Sequence, residues 1–370
     1  MNSQRFSLVL NTYIGRHFIG SFFTVLLTIM GLIVLFDMIE LIRRAASHDN
    51  VRFTALLEMA LFKLPHMIGI ILPFGVMLGG MATFWILARS HELVVMRAAG
   101  VSAWQFMMPI AVIVLTLGVI NVIAINPIAA AMYGRYEHFD EKLLLHHSSS
   151  LLLSDDGLWL RESQGDQQMV IHARDVRQNG FTLAMHRITI LVFKDQDTFL
   201  QRFEAESGTL LNGFYELSEV WDMQPGTPAV HHDHFAIPTT LTVAKIQENF
   251  ASSETISFWE LPAYIQFFEA AGFTAHNHRL HLQSLLASPF LLCAMALLGA
   301  SFSMHPNQRA GGFLHRLVGG IIAGFILYFF SKITYALGQS QTLPIWLAAW
   351  SPAAVTGLFG LSSVFHYEDG

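Results

Sequence analysis

Long apolar runs occupy both ends of the chain, and a region of short alternating segments separates them. Each run is about 20 residues or longer, which is enough for an α-helix to cross the hydrocarbon core of a bilayer. The second run exceeds one bilayer thickness and contains Pro65 and Pro73, so we expect it to be kinked and to extend beyond the hydrocarbon. The pattern predicts six membrane spans, at about 17–36, 53–88, 101–131, 282–302, 317–337 and 345–365.

The region between the two apolar halves has the pattern of a β domain. Short runs with alternating polarity are separated by turn signals such as Asn179-Gly180 and Pro225-Gly226. A helix is expected from Ser257 to Ala271, with Ser257 and Glu260 as a capping box. We predict strands at 158–160, 169–173, 188–193, 203–211, 215–221 and 241–243. Many short strands with regular turns favour an all-β sandwich or jelly roll.

The predicted fold class is a membrane protein with six transmembrane α-helices in a 3+3 arrangement around an inserted all-β, jelly-roll-like domain. Residues 1–132 hold helices one to three, residues 133–275 the β domain, and residues 276–370 helices four to six. Val170, Ile190, Val192 and Phe203 are expected to face inward, where they would fill an ordinary closed core or line an open interior.

A short polar-edged segment, residues 90–100, lies between the second and third spans. Ser90 suits a helix N-cap, Glu92 places a negative charge in the first turn, and Gly100 suits the position after the last turn. We interpret the segment as a short helix under the membrane, with Leu93, Val94 and Met96 as apolar contacts for a partner. The alternative is a membrane-surface turn that binds nothing.

Composition and charge support a membrane protein of defined orientation. The chain is 53% hydrophobic and 13% charged, against about 25% charged residues in soluble domains. The net charge of −6 gives no indication of nucleic-acid binding. With the N-terminus inside, the positive-inside rule places Arg5, Arg16, Arg89, Arg97, Arg309 and Arg316 in the cytoplasm and the β domain on the opposite side. Arg43, Arg44 and Arg52 oppose the rule locally.

The sequence lacks the motifs of several enzyme classes. It has no G-x-x-x-x-G-K-[ST] phosphate-binding loop, no H-E-x-x-H zinc motif and no G-x-S-x-G elbow. We therefore predict no catalytic residue, no cofactor and no metal site. The clusters at 231–234 and at 276, 278 and 281 are interpreted as surface or interfacial histidines. An ion-coupled carrier is disfavoured, because the span interiors carry almost no carboxylates.

Four motifs carry a resemblance to a known family. They are Ser90-His91-Glu92-Leu93-Val94-Val95-Met96-Arg97-Ala98-Ala99-Gly100, Asn126-Pro127, Gly157-Leu158-Trp159 and Trp259-Glu260-Leu261-Pro262. The first is similar to the S-E-L-V-V-M-x-A-S/A-G signature of the lipopolysaccharide export permeases of the LptF/LptG family. The chain resembles that family over nearly its whole length and is closer to its LptG members than to its LptF members.

The resemblance implies a transport role with several partners. Two such permeases form a heterodimer above an LptB-type ATPase dimer in the inner membrane of a Gram-negative bacterium. The complex extracts lipopolysaccharide and passes it through periplasmic jellyrolls to LptC/LptA-type bridge proteins. The family's segment between spans two and three is a coupling helix that docks on the ATPase. The ATPase-coupling residues would be Glu92, Leu93, Val94, Met96 and Arg97.

The resemblance also gives a use to the basic residues on the outer side. Arg43 and Arg44 match the family's basic pair near its lipid-contacting helix, and Asp37 matches an acidic position there. Where the family often has a further lysine, this chain has Val34. Depth in the membrane adds Lys63 and Arg135 as candidates for binding lipid phosphates. The alternative is that these residues bind ordinary phospholipid headgroups, or pair with Glu40 and Glu58.

The function predicted is that of a permease subunit in an ATP-driven lipopolysaccharide exporter. A second hypothesis, from another class, is an envelope-spanning scaffold or signalling protein whose outer domain binds a partner and moves no lipid. The absence of a phosphate-binding loop together with a capped cytoplasmic helix favours the transporter, because such a chain would take its energy from a separate ATPase.

Overall fold

The chain folds into two compact units, which we call the membrane unit and the β unit. The membrane unit comprises Met1–Asp140, Ser257–Trp259 and His276–Gly370, and the β unit comprises Glu141–Ile256 and Glu260–Ala275. Gly180 of the predicted turn Asn179-Gly180 and the basic position Arg309 lie outside the described residues. The computed structural model describes residues 2–46, 52–140, 151–154, 157–164, 167–179, 182–194, 198–211, 213–239, 241–243, 246, 252–270, 272–303 and 312–368.

Helices account for the membrane unit. Among the described residues, six helical segments are long and apolar enough to cross a membrane, which confirms the predicted number of spans. The third of these segments is composite, because α4 passes into α5 through a π-helical turn at Asn121–Ile125. The helices are α1 Asn2–Ala45, α2 Phe53–Arg89, α3 Glu92–Ala98, α4 Ala103–Ile120, α5 Asn126–Asp140, α6 Leu261–Ala270, α7 His276–Ser303, α8 Gly312–Gln339 and α9 Ile345–Glu368.

Three helical segments are longer than a bilayer requires. Helix α1 has 44 residues and α2 has 37, which correspond to about 66 Å and 55 Å at about 1.5 Å per residue. The hydrocarbon core is only about 30 Å thick. The helices continue past the predicted span ends at residues 36 and 131, since α1 reaches Ala45 and α5 reaches Asp140. We call the region where α1 ends, α2 begins and α5 ends the α1–α2 end.

A close helix crossing holds α1 against α2. A Cβ added at Gly79 would lie 2.8 Å from the Cα of Phe22, so only glycine permits this approach. Phe22 belongs to a core cluster with Phe18, Phe84 and Phe106, in which every one of these side chains is at most 1% exposed. The core therefore joins α1, α2 and α4.

The β unit contains one antiparallel sheet of seven described strands, in which each strand pairs with its neighbours in chain order. This confirms the inserted antiparallel β domain. The sequence analysis missed β1 and β7, and residues 241–243 form no strand. The strands are β1 Leu151–Ser154, β2 Gly157–Gln164, β3 Gln167–Asn179, β4 Thr182–Lys194, β5 Thr198–Leu211, β6 Phe214–Met223 and β7 Val230–Pro238.

The alternation of buried and exposed residues is interrupted by two consecutive non-buried residues at the same level in neighbouring strands of the sheet. In β4, Met185 and Ile188 are both buried, and the exposed pair His186 and Arg187 separates them. The same interruption occurs at 174–175 in β3, 206–207 in β5 and 218–219 in β6. These positions are neighbours in the strand register. Because each strand changes its buried face at the same level, the sheet bends along this line, as it does at β-bulges.

The line also concentrates charge and unusual backbone. Arg187 and Glu219 have positive φ angles of 53° and 55°. The Arg187 guanidinium donates to Asp175 at 2.5 Å, and this hydrogen bond lowers the pKa of the Asp175 carboxyl. On the core side, Ile190 is fully buried and Phe203 nearly so. The inward placement of Val170 was wrong, because its neighbours Met169 and Ile171 occupy the buried face.

A buried polar contact shows that the sheet curls upon itself. The Thr239 hydroxyl, one residue beyond β7, donates to the Glu162 carboxylate of β2 at 2.6 Å. Five strand steps of about 4.8 Å would separate β2 from β7 in a flat sheet. Glu162 is only 2% exposed, so this bond satisfies a carboxylate inside the unit. Burial raises the pKa of the neighbouring Tyr215 hydroxyl.

The last part of the β unit is helix α6. It begins at Leu261 and not at Ser257, and the Glu260 carbonyl accepts its first hydrogen bond from Tyr264 at 2.9 Å. The predicted capping box at Ser257 therefore does not start this helix. The end is close to the prediction, because Gly272 has a φ of 86° and follows the last turn.

Candidate functional site

The segment between the second and third spans is a short helix, α3, with a sharp start. His91 has a left-handed backbone with a φ of 59°, which separates α3 from α2. The predicted N-cap role of Ser90 was wrong, because its hydroxyl donates backward to the carbonyls of Ile86 and Leu87 at 3.1 and 3.2 Å. Ser90 therefore ends α2, and no side chain caps α3.

The end of α3 is closed by hydrogen bonds, as the sequence predicted. The Gly100 N–H donates to the Arg97 carbonyl at 2.9 Å, and the Val101 N–H donates to the Met96 carbonyl at 3.1 Å. This pair of bonds defines the Schellman motif, in which the residue after the cap takes a positive φ. The φ of Gly100 is 82°. The seven residues of α3 are thus held as a fixed, compact element.

The apolar residues of α3 divide into two faces. Leu93 is 7% exposed and belongs to the core of the membrane unit, and Met96 packs against that core. Both side chains contact their own chain, and the expectation that they also meet a partner stays a prediction. The outward face carries Val94 and Val95, which are 54% and 67% exposed. The sequence analysis missed Val95, although a helical period places it on the side opposite Leu93.

The charged residues of α3 differ in their contacts. The Glu92 carboxylate is half-buried and lies within hydrogen-bonding reach of the Tyr13 hydroxyl on α1. Arg97 is exposed. The contact between Tyr13 and Glu92 joins the base of α1 to the first turn of α3. The sequence alone does not predict this contact, because the two residues are far apart in the chain and only helix packing brings them together.

The second candidate site lies at the α1–α2 end. The Lys63 ammonium forms a salt bridge with the Asp37 carboxylate, and their side chains are 21% and 10% exposed. The same ammonium lies 5.3 Å from the ring centroid of Tyr136 on α5. A cation over an aromatic face is attracted by the ring quadrupole. Lys63 on α2 therefore contacts α1 and α5, and the sequence analysis had no reason to name Tyr136.

Arg43 and Arg44 share one acidic partner beside this pair. The Arg43 guanidinium forms two hydrogen bonds with Glu40, at 2.8 and 2.7 Å, and Arg44 forms one at 3.0 Å. Arg44 also lies 4.0 Å from Asp140 on α5. The side chain of Arg43 remains 73% exposed. The alternative of pairing with Glu40 is thus observed, as the spacings of three and four residues on a helix allow.

Arg135 is the one candidate at this end that the structure does not join to these ion pairs. Its guanidinium carbon lies 6.0 Å from the ring centroid of Phe62, and the side chain is exposed. The site therefore brings together Asp37 with Lys63, and Arg43 with Arg44. The ion pairs that Glu40 forms with Arg43 and Arg44 are solvent-exposed and therefore weak, so another anion can exchange with the Glu40 carboxylate.

His231 of the β unit lies in a separate exposed cluster with Glu219 and Asp233. His231 Nε2 lies 3.0 Å from a Glu219 carboxylate oxygen, and His231 Nδ1 lies 3.8 Å from Asp233. The three side chains place ligand atoms within 4.8 Å of one another. The imidazole lies between two carboxylates, an arrangement that an ordinary surface ion pair also adopts. The interpretation of these residues as surface histidines stays a prediction.

Comparison with known proteins gives a consistent result. The profile of the family "Lipopolysaccharide export system permease LptF/LptG" matches residues 12–365. The chain is 23% identical over 370 residues to the lipopolysaccharide export system permease protein LptG of Escherichia coli strain K12, covering 95% of this chain and 97% of that protein. It is 23% identical over 349 residues to the protein of the same name in Haemophilus influenzae, covering 90% and 91%.

Proposed function

The chain belongs to the lipopolysaccharide export permease family LptF/LptG, and from this we propose that it is the permease subunit of an ATP-driven transporter that removes lipopolysaccharide from the inner membrane. The observation that carries the proposal is helix α3. One side of this hydrogen-bonded helix packs on the core of the membrane unit, and the other side exposes Val94 and Val95. A surface of this kind suits docking by a separate motor protein, because its position is fixed before the partner arrives.

Energy would come from an LptB-type ATPase dimer beneath the permease. Leu93 and Met96 would transmit force into the membrane unit, since both pack on its core. Val94 and Val95 would supply the apolar contact with the motor. Glu92 and Arg97 would orient the contact, because charged groups at interfaces contribute specificity more than affinity.

The lipid phosphates would bind at the α1–α2 end. Arg43 and Arg44 offer guanidinium forks that match phosphate oxygens, and Lys63 offers a point charge. In the structure, Glu40 pairs with Arg43 and Asp37 pairs with Lys63. The lipid phosphate would displace Glu40 from the exposed pair, while Asp37 keeps the more enclosed Lys63 in place. Arg135, which lies over Phe62, is a peripheral member of the proposed site.

The same proposal assigns the remaining partners and the location. The second permease is an LptF-like paralogue, the β unit lies in the periplasm, and LptC/LptA-type jellyroll proteins receive the lipid. The second candidate, an envelope scaffold with a partner-binding β unit, has the exposed Trp159 and Trp221 in its favour, which are 40% and 47% exposed. It requires no ATPase, and this difference provides the test.

The full chain, purified from cells that produce its native partners, is expected to bring with it an ATPase that contains a phosphate-binding loop. Val95→Asp should reduce the recovered ATPase by about tenfold or more, because a charge would enter a central apolar contact. Val230→Asp is the matched control, since Val230 is 51% exposed on the β unit. Pull-down with quantitative mass spectrometry measures both. Purification without any ATPase would favour the scaffold.

The double variant Arg43→Glu/Arg44→Glu is expected to lower lipopolysaccharide-stimulated ATP hydrolysis by about tenfold, the effect of losing roughly one charge-assisted phosphate contact. Basal hydrolysis should change little, because both side chains are solvent-exposed. Arg202→Glu is the control, as Arg202 forms an exposed pair with Glu204 in the β unit. An unchanged response to lipopolysaccharide would refute the assignment of Arg43 and Arg44.

A further inference from the structure

A groove between α1 and α2 lies at the end of the membrane unit that carries α3. Its volume is about 430 Å³, within the range of about 300–1,000 Å³ typical of ligand pockets. It is distinct from the α1–α2 end, because the lining residues come from the first half of α1 and the last part of α2. They are Arg16, His17, Gly20, Ser21, Thr24, Val25, Ala82 and Ile86.

The groove exists because the two helices touch further along. Gly79 allows α2 to meet the backbone of α1 at Phe22. On the α3 side of this crossing, Gly20 and Ala82 leave space that larger side chains would fill. A Cβ added at Gly20 would have no atom within 4 Å. The Thr24 hydroxyl donates to the Gly20 carbonyl at 2.9 Å, so it is already satisfied.

Two basic side chains lie together at one end of this apolar groove. Arg16 is exposed and forms no salt bridge with the described residues. His17 packs edge-on against Tyr13, with ring centroids 4.6 Å apart. On α2, Trp85 directly precedes Ile86 of the groove, and the Arg89 guanidinium lies 5.4 Å from the centroid of the Trp85 ring. Basic and amphipathic aromatic residues at one level are typical of the headgroup region of a bilayer.

We propose that this groove binds an anionic glycerophospholipid, with its phosphate on Arg16 and His17 and an acyl chain between α1 and α2. The charge complementarity selects an anionic lipid over a neutral one, because the guanidinium fork pairs with phosphate oxygens that carry no adjacent ammonium. Next to the groove residues on α1, Ile19 and Phe23 are 42% and 48% exposed, so this part of α1 presents an apolar surface. A bilayer lipid can therefore enter from the side.

The test uses the full chain with its accompanying subunits in phosphatidylcholine nanodiscs that contain a photoactivatable phosphatidylglycerol. Crosslinks mapped by mass spectrometry are expected at residues 16–25 and 82–86. Gly20→Leu should reduce them about tenfold, because a leucine there excludes roughly two acyl methylenes from the groove. Gly31→Leu, on the same helix and also with no atom within 4 Å of an added Cβ, should leave them unchanged.

Competition identifies the source of the phosphate. Unlabelled phosphatidylglycerol should remove the crosslinks, whereas phosphatidylcholine and inorganic phosphate should not. Arg16→Gln should abolish the preference for phosphatidylglycerol. Equal labelling by a photoactivatable phosphatidylcholine, full labelling of Gly20→Leu, or protein–protein crosslinks that show a helix of another subunit in the groove would each overturn the proposal.

Discussion

Replacing Glu92 by arginine is expected to stop lipopolysaccharide extraction while the chain still folds and the partner still hydrolyses ATP. Glu92 lies in the first turn of α3, beside the outward face of Val94 and Val95. Reversing a charge at a protein interface costs several kcal/mol where it meets like charge. We expect extraction from proteoliposomes to fall at least about tenfold, since each 1.4 kcal/mol is a factor of ten.

Two variants separate the charge of Glu92 from its position. Glu92→Gln removes the charge but keeps an acceptor for the Tyr13 hydroxyl. Tyr13→Phe keeps the charge but removes the hydroxyl that lies within hydrogen-bonding reach of Glu92. If orientation depends on charge, the first variant loses more transport than the second. If it depends on the anchored geometry, the order is reversed.

Measuring lipid extraction together with thermal unfolding distinguishes a loss of coupling from misfolding. Glu92 is half-buried but lies outside the core, so losing its contact with Tyr13 should lower the free energy of unfolding by about 1 kcal/mol, the usual net value of one hydrogen bond. Thermal unfolding of Glu92→Arg should therefore stay close to that of the unaltered protein. Normal extraction by Glu92→Arg would count against a coupling role for α3, and loss of the folded protein would contradict the position of Glu92 outside the core.

The number of membrane spans could be predicted from the sequence, because it depends on where apolar residues are concentrated along the chain. Runs of about 20 apolar residues predict spans, and the six spans are present among the described helices. The ends were less accessible, as α1 shows by continuing to Ala45 beyond the apolar run. Outside the hydrocarbon, a helix is maintained by packing and by pairs such as Glu40 with Arg43, which hydropathy does not report.

The bend in the β unit could have been inferred from the sequence, but the sequence analysis overlooked the pattern that indicates it. Met185-His186-Arg187-Ile188 places two polar residues between buried ones, and this breaks strict alternation. Three neighbouring strands repeat the interruption, so the pattern predicts a fold line across the sheet. Strand β7 was missed for a different reason, because its His231-His232-Asp233-His234 sequence is too polar to resemble a strand with a buried face.

The candidate sites, too, were predictable from the sequence only in part. Helical spacing fixed which α3 residues share a face, but it did not say which face meets the core. Leu93 turned inward because Phe84 and Leu87 at the end of α2 form a core beside it. The contacts of Glu92 with Tyr13 and of Lys63 with Tyr136 depend on how distant helices meet, and a single sequence carries no record of this.

The second large effect is expected at the pair of Asp37 and Lys63. Lys63→Met should lower the free energy of unfolding by about 2–3 kcal/mol, because it leaves the Asp37 carboxylate enclosed without a counter-charge. This loss is smaller than the roughly 3–5 kcal/mol found when a fully buried pair is broken, because the Asp37 and Lys63 side chains remain 10% and 21% exposed. Chemical unfolding of the full-length protein in detergent measures this difference.

The double variant Asp37→Asn/Lys63→Met makes the experiment decisive. Removing both charges should restore most of the stability, because a neutral pair of similar shape replaces an ion pair at little cost. If Lys63 also binds lipid phosphate, the stable double variant still loses its response to lipopolysaccharide. If it responds normally, Lys63 serves only to hold α1, α2 and α5 together, and lipid binding rests on Arg43 and Arg44. Additive single effects would instead show that the two side chains do not interact.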